Sequence, residues 1–240
     1  MSYDWKAALV FLATLVALSV LGHFLAFRVP ALQRMRERNR EADRVKLSRK
    51  RFSEAVKRNN RAALATNLGF YVAVLPFFLD LEPRPLWRHA VDTVAVLMVF
   101  DFFYYLTHRF LFHGKALRKV HALHHQARTP TFVDGLYVHP LETAIGLALF
   151  LGSIPLIALL GGGSLSAFSM AVATLIFTQL NTINHTWVNL PEFPFRTLTR
   201  ITQLHAAHHV DMNHGNYATL TMLYDRLFGT FEAPVGRPAP

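Results

Sequence analysis

Apolar residues in this chain gather into long blocks separated by short polar or charged stretches. The first, Ala8–Phe27 (ALVFLATLVALSVLGHFLAF), matches the roughly 20 residues a helix needs to cross a bilayer. Ala62–Asp80, Ala90–Thr107, Leu141–Leu160 and Ser164–Ile183 repeat the pattern. Between them lie LEPRP (Leu81–Pro85), a turn by its two prolines, and GGGS (Gly161–Ser164), a tight turn by its glycines. The last two blocks read as a helical hairpin around GGGS. The pattern predicts an all-α integral membrane protein with about four to five transmembrane helices. A cleaved signal peptide is the alternative for the first block. It lacks a basic leading region and a small-residue cleavage site, and its positive charge follows it.

Composition agrees with this pattern. Of 240 residues, 52% are hydrophobic, above the usual share for a soluble domain. The chain has no cysteine, which excludes disulfides, iron–sulfur clusters and cysteine zinc sites. The net charge of +10 is concentrated in a basic segment, 28–61. In a membrane protein that charge faces anionic lipid rather than nucleic acid. The segment reads as a charged helix on the cytoplasmic membrane surface, or else as a solvated linker. The positive-inside rule places it in the cytoplasm and the N-terminus outside. The expected organisation is a membrane anchor over 1–100, a histidine-motif domain over 101–231 containing the hairpin 141–183, and a flexible tail over 232–240.

This topology brings most of the histidines to one face. HALHH (residues 121–125) recurs as HAAHH (residues 205–209), and the two passes between them return to the same side. Residues i, i+3 and i+4 share a helix face, so His121, His124 and His125 are expected to project to one point, as are His205, His208 and His209. His108 and His113 precede the first triplet. A five-residue step is not one face of an ideal helix, but a frayed or widened last turn before Gly114 would bring them together. Eight imidazoles crowded at a membrane surface need a shared partner. Imidazole suits iron, zinc, copper or nickel, and this many ligands means two metals. Asp101, seven residues before His108 on the same stripe, reads as a partner that orients a ligand imidazole. His185 follows the last span, and Asn189 lies four residues on. His139 and His214 are open between ligand and outer partner.

These motifs resemble the fatty acid hydroxylase superfamily, the membrane-bound non-haem di-iron proteins that include sterol desaturases and sterol C-4 methyl oxidases. The resemblance rests on HRFLFH (108–113), HALHH (121–125), HPLE (139–142), NHTWVNLP (184–191), HAAHH (205–209) and the ending NYATLTMLYDRLFGTF (216–231). It covers the chain from about Asp101 to Phe231. It implies that His108, His113, His121, His124, His125, His185, His205, His208 and His209 bind two irons in a cytoplasmic helical cap. Some relatives carry a second histidine where Asn189 stands, which leaves a further ligand role open to His139, His214 or water. The usual NYG is NYA here, with Ala218.

The implied reaction uses O2 to hydroxylate or desaturate a lipid C–H bond, chemistry that side chains lack and a metal supplies. The lipid would enter from the bilayer, with Phe102, Tyr104 and Tyr105 lining its path or simply packing. No dinucleotide fingerprint, flavin or haem module is visible, so electrons are expected from a separate cytochrome b5-, ferredoxin- or reductase-type protein. A histidine-rich metal transporter and a zinc-dependent membrane hydrolase are the alternatives from other classes. Transport sites lie near the bilayer midplane, and zinc needs only about four ligands.

Overall fold

The computed structural model describes residues 2–236. Met1 and residues 237–240, the end of the expected tail, lie outside the described residues. The protein is built from helices: α1 (Trp5–Ala26), α2 (Pro30–Leu47), α3 (Lys50–Ala73), α4 (Leu86–Thr107), α5 (Arg118–His121), α6 (Pro140–Leu160), α7 (Ala167–His185), α8 (Arg196–His208) and α9 (Leu223–Leu227). Two short strands, β1 (Leu79–Asp80) and β2 (Leu165–Ser166), pair in parallel with Leu79 opposite Leu165.

Local chemistry sets several boundaries. Asp4 caps α1 by accepting from the Ala7 amide at 2.9 Å, and Pro30 opens α2 at a position where no amide is needed. The basic segment is not one surface helix. It breaks at Ser48–Arg49, and its second part is the start of α3, which runs on into the second apolar block.

α4 lies at the centre, against both α6 and α7, while α1 packs on α7 and α3 on α6. The two helices expected as a simple hairpin are therefore each laid against α4. The core between them centres on Phe100, Phe150 and Phe177. Phe150 and Phe177 stack at 4.0 Å, and Phe100 meets both edge-on. At the α4 N-terminus the paired strands are tied by Arg84, which reaches Asp80, Asp92 and the Ser164 carbonyl.

Among the described residues, three helices are long and apolar enough to cross a membrane: α1, α4 with its extension to Phe112, and α6. α1 exposes Leu9, Val16, Val20 and Phe24, a surface suited to lipid rather than water. α3 spends its first half on charged residues, and α7 carries Thr174, Thr178, Asn181 and Asn184. The described part of the expected flexible tail is tied down. The Glu232 amide donates to Asn216 Oδ1 at 2.8 Å and the Val235 amide to the Gln203 carbonyl at 3.3 Å.

Candidate metal centre

The histidines converge beyond the C-terminal end of α4, about 33 Å along that helix from the strand pair, by the rise per residue over its 22 residues. α4 does not end cleanly. It widens into a π turn over His108–Phe112, in which the His113 amide donates to the His108 carbonyl at 2.9 Å. This turn closes a five-residue step and brings the two rings to 5.0 Å. Gly114 makes it possible, because a Cβ there would lie 1.9 Å from the Phe110 carbonyl oxygen. Gly114→Ala is expected to open the turn and swing His113 away, at about 3 kcal/mol or more of stability. Thermal melting and metal content of the purified variant check this.

Nine imidazoles form two buried groups. His108, His113, His121, His125 and His208 make one; His124, His185, His205 and His209 make the other. Each triplet is thus divided, rather than aimed at a single point. His121 and His125 enter the first group and His124 the second. His205 and His209 enter the second and His208 the first. For the second triplet, at the end of α8, helical geometry explains the split: residues i and i+4 differ by about 40° around the axis, whereas i+3 and i+4 differ by about 100°. The groups adjoin, with the His125 and His209 rings stacked at 4.8 Å.

Within each group the Nε2 atoms face one another. His121 Nε2 lies 3.0 Å from those of His108 and His125, and His125 Nε2 lies 3.0 Å from that of His208. In the second group the His124–His185, His185–His205 and His205–His209 separations are 3.0, 2.9 and 3.1 Å.

The outer nitrogens decide what these contacts mean. Nδ1 of His108, His113, His208 and His185 donates to the carbonyls of Tyr217, Met212, Gly215 and Asn181 at 2.7 to 3.0 Å. A carbonyl only accepts, so the proton of these rings sits on Nδ1 and Nε2 presents a lone pair. His121 Nδ1 likewise donates to Glu142 Oε1 at 2.8 Å. His108 and His121 therefore bring two lone pairs to 3.0 Å with no proton between them. The buried Nε2 of His113 has no hydrogen-bond partner at all.

Burial, then the neighbouring imidazoles, push His121, His124, His205 and His209 well below the ordinary histidine range. The same forces, with burial foremost, take His125 down to about 3. These rings are neutral at pH 7, the state that binds a metal. Facing lone pairs repel unless a cation lies between them, so the residues fit metal ions. The separations carry further information. With metal–nitrogen bonds of about 2.1 Å, ligands at right angles lie about 3.0 Å apart and tetrahedral ligands about 3.4 Å apart. The observed edges match right angles.

A loop after α8 orients three of the rings. Gly215 and Tyr217 supply carbonyls to His208 and His108, and Asn216 between them adopts φ 57°. Its side-chain amide donates to the carbonyls of Leu204 and Glu232. Asp225 accepts from the amides of Tyr217 and Ala218 at 2.8 and 2.9 Å. Asp101 accepts from the amides of Thr219, Leu220 and Thr221 and from the Thr221 hydroxyl, all at 2.8 to 3.1 Å. Asp101 therefore holds no imidazole directly, contrary to the sequence reading. Its helical stripe meets the 219–221 backbone, whose free amides take both of its oxygens. The carboxylate that does hold a ring is Glu142.

Three other expected positions lie outside both groups. His139 is exposed and caps α6, accepting from the Leu141 amide at 3.2 Å. His214 is half-exposed beside Asp211 and Glu232. Asn189 is exposed. Among the aromatics, Tyr104 meets His108 edge-on at 5.2 Å, whereas Tyr105 stacks on Phe228 and Phe102 packs on Tyr224. Glu142, Tyr217 and Asp225 were not singled out from the sequence. For Glu142 a signal existed: an acid in the first turn of an apolar block is a functional candidate by default.

The fatty acid hydroxylase family model matches residues 93–230, more than half the chain and all nine of the clustered histidines. The chain belongs to the fatty acid hydroxylase family. Methylsterol monooxygenase 1 of Rattus norvegicus is 30% identical over 158 residues, covering 63% of this chain and 50% of the rat protein. Ornithine lipid hydroxylase OlsE of Rhizobium tropici is 30% identical over 151 residues, covering 62% of this chain and 44% of that protein. Methylsterol monooxygenase 1 of Gallus gallus is 25% identical over 233 residues, covering 94% and 75%. This fatty acid hydroxylase family member thus spans half of the rat protein's length. No solved structure gives a significant match.

Proposed function

We propose that this chain is a membrane-embedded, O2-dependent oxidoreductase that hydroxylates or desaturates a C–H bond of a lipid at a pair of irons. The observation that carries the reading is the pair of adjoining buried groups, five and four imidazoles, with ring nitrogens facing at right-angle metal-ligand separations. Two irons bound there would supply the O2 activation and C–H oxidation that side chains lack. The chain's own part is to hold and shield them. The nine rings bind, the carbonyls of Asn181, Met212, Gly215 and Tyr217 with Glu142 fix ring orientation, and burial keeps water out. Relatives named for a methylsterol and an ornithine lipid support a lipid substrate. By the positive-inside rule the metal end faces the cytoplasm, with the N-terminus outside.

The deciding experiment is metal analysis with Mössbauer spectroscopy on protein purified from iron-supplied cells. About two coupled irons per chain are expected, by the ligand count of the two groups. One metal or none in folded protein would overturn the reading. A search for oxidised lipid in membranes expressing the chain then identifies the product.

Electrons are proposed to arrive from a separate acidic carrier. Exposed Lys115 and Lys119 lie beside the first histidine group, and Arg118 donates to the His113 carbonyl at 2.9 Å. Raising ionic strength from low to physiological is expected to slow reduction by such a carrier about tenfold or more. An unchanged rate in stopped-flow reduction would remove the charge-steered dock.

A further inference from the structure

The basic segment before the family-matched region has a role that neither lipid contact nor linking explains. Asn39, Asp43 and Lys46 fall at i, i+4 and i+7 of α2, hence on one face, and Asn39 and Asp43 are buried. Asn39 is committed to backbone just beyond His185, and Asp43 and Lys46 to the segment 129–134. Asn39 Nδ2 donates to the Trp187 carbonyl at 2.8 Å, and the Trp187 amide donates back to Asn39 Oδ1 at 2.9 Å. This pair grips the chain two residues beyond His185.

The other two side chains hold a second segment. Asp43 Oδ1 accepts from the Thr131 hydroxyl at 2.7 Å and the Val133 amide at 3.3 Å. Lys46 Nζ donates to Thr131 Oγ1 at 2.9 Å and forms an ion pair with Asp134. From α3, Asn59 Nδ2 donates to the Leu136 carbonyl at 3.0 Å. Gly135 is thus pinned on both sides, by Asp134 and Leu136. It lies flat on His185, where a Cβ would come within 3.1 Å of ring atoms Cγ and Nδ1.

We infer that α2 and the start of α3 are a positioning brace for the four-histidine group: they hold His185 through Trp187 on one side and Gly135 on the other. The five-histidine group is held differently, by Glu142 and the Asp225-braced loop. The two half-sites therefore have separate braces, and metal occupancy of one depends on α2 while that of the other does not. This rests on the reading of the two groups as metal sites.

The test uses the full chain, purified in detergent, loaded anaerobically with ferrous iron and dialysed against graded chelator, with metal per chain read by mass spectrometry. Asn39→Ala removes the grip on Trp187. Gly135→Ala pushes on His185 without touching α2. Each is expected to release one metal at about 10–100-fold lower chelator than wild type, while the second stays bound as in wild type, the range that loss of an outer partner produces. Thermal melting should stay close to wild type. Release of both metals together, wild-type retention of both, or failure of both variants to fold would each overturn the brace. Wild type binding no metal would instead overturn the metal-site reading beneath it.

Discussion

Replacing His125 by alanine is expected to abolish lipid oxidation and to empty the five-histidine group. His125 stands at the centre of that group, with Nε2 at 3.0 Å from the Nε2 atoms of both His121 and His208. Its ring also stacks on His209, so it is the closest mechanical link between the groups. Loss of an outer partner costs about 10–100-fold in metal affinity or activity, and loss of a central ligand should exceed that range. Product quantification and metal content, measured on the same preparation, check the expectation. His139→Ala and His214→Ala are the matched controls. Both residues lie outside the groups, so both variants should keep their metals and their activity. Should either control behave like His125→Ala, the partition into five and four would be wrong.

The second large effect is expected at Glu142. Its Oε1 accepts from His121 Nδ1, and its Oε2 is buried with no hydrogen-bond partner. A buried carboxylate with one satisfied oxygen is costly unless a cation balances it. Here the balancing charge would sit on the far side of His121, relayed through the imidazole. Glu142→Gln keeps the shape and an acceptor but removes the charge. It is expected to weaken iron retention about 10–100-fold. Because the uncompensated charge disappears too, the metal-free protein should melt no lower than wild type. Chelator competition and melting of the metal-free form test the two signs separately. A variant that melts lower without metal while holding iron normally would make Glu142 a purely structural contact.

Much of the candidate metal centre was legible in the chain itself. The doubled HxxHH, the five-residue step from His108 to His113 and the glycine behind it are local features, and local backbone geometry converts them into paired imidazoles. Helical periodicity likewise made α1, α4 and α6 recognisable, since a 20-residue apolar run has few alternatives. Where periodicity alone misled, the reason is visible. Asp101 sits on the expected stripe, yet what faces that stripe is the backbone of residues 219–221, more than a hundred positions later.

What only the tertiary structure decided is how the local pieces are shared out. The sequence determined that this is a helical membrane protein with nine histidines of ligand type at matching spacings. It did not determine that each triplet divides between two groups, because the first triplet leaves the helix at His121 and packing chooses which neighbour each ring meets. Nor did it reveal the partners of the outer nitrogens. Met212 and Tyr217 reach their imidazoles from about a hundred residues away, Glu142 reaches His121 from another helix, and α2 reaches Trp187, beside His185, across almost 150 residues, at Asn39. Side-chain spacing is a property of one helix and is written in its sequence. The orientation of a ligand ring is set by whatever backbone lies against it, and that is a property of the folded chain alone.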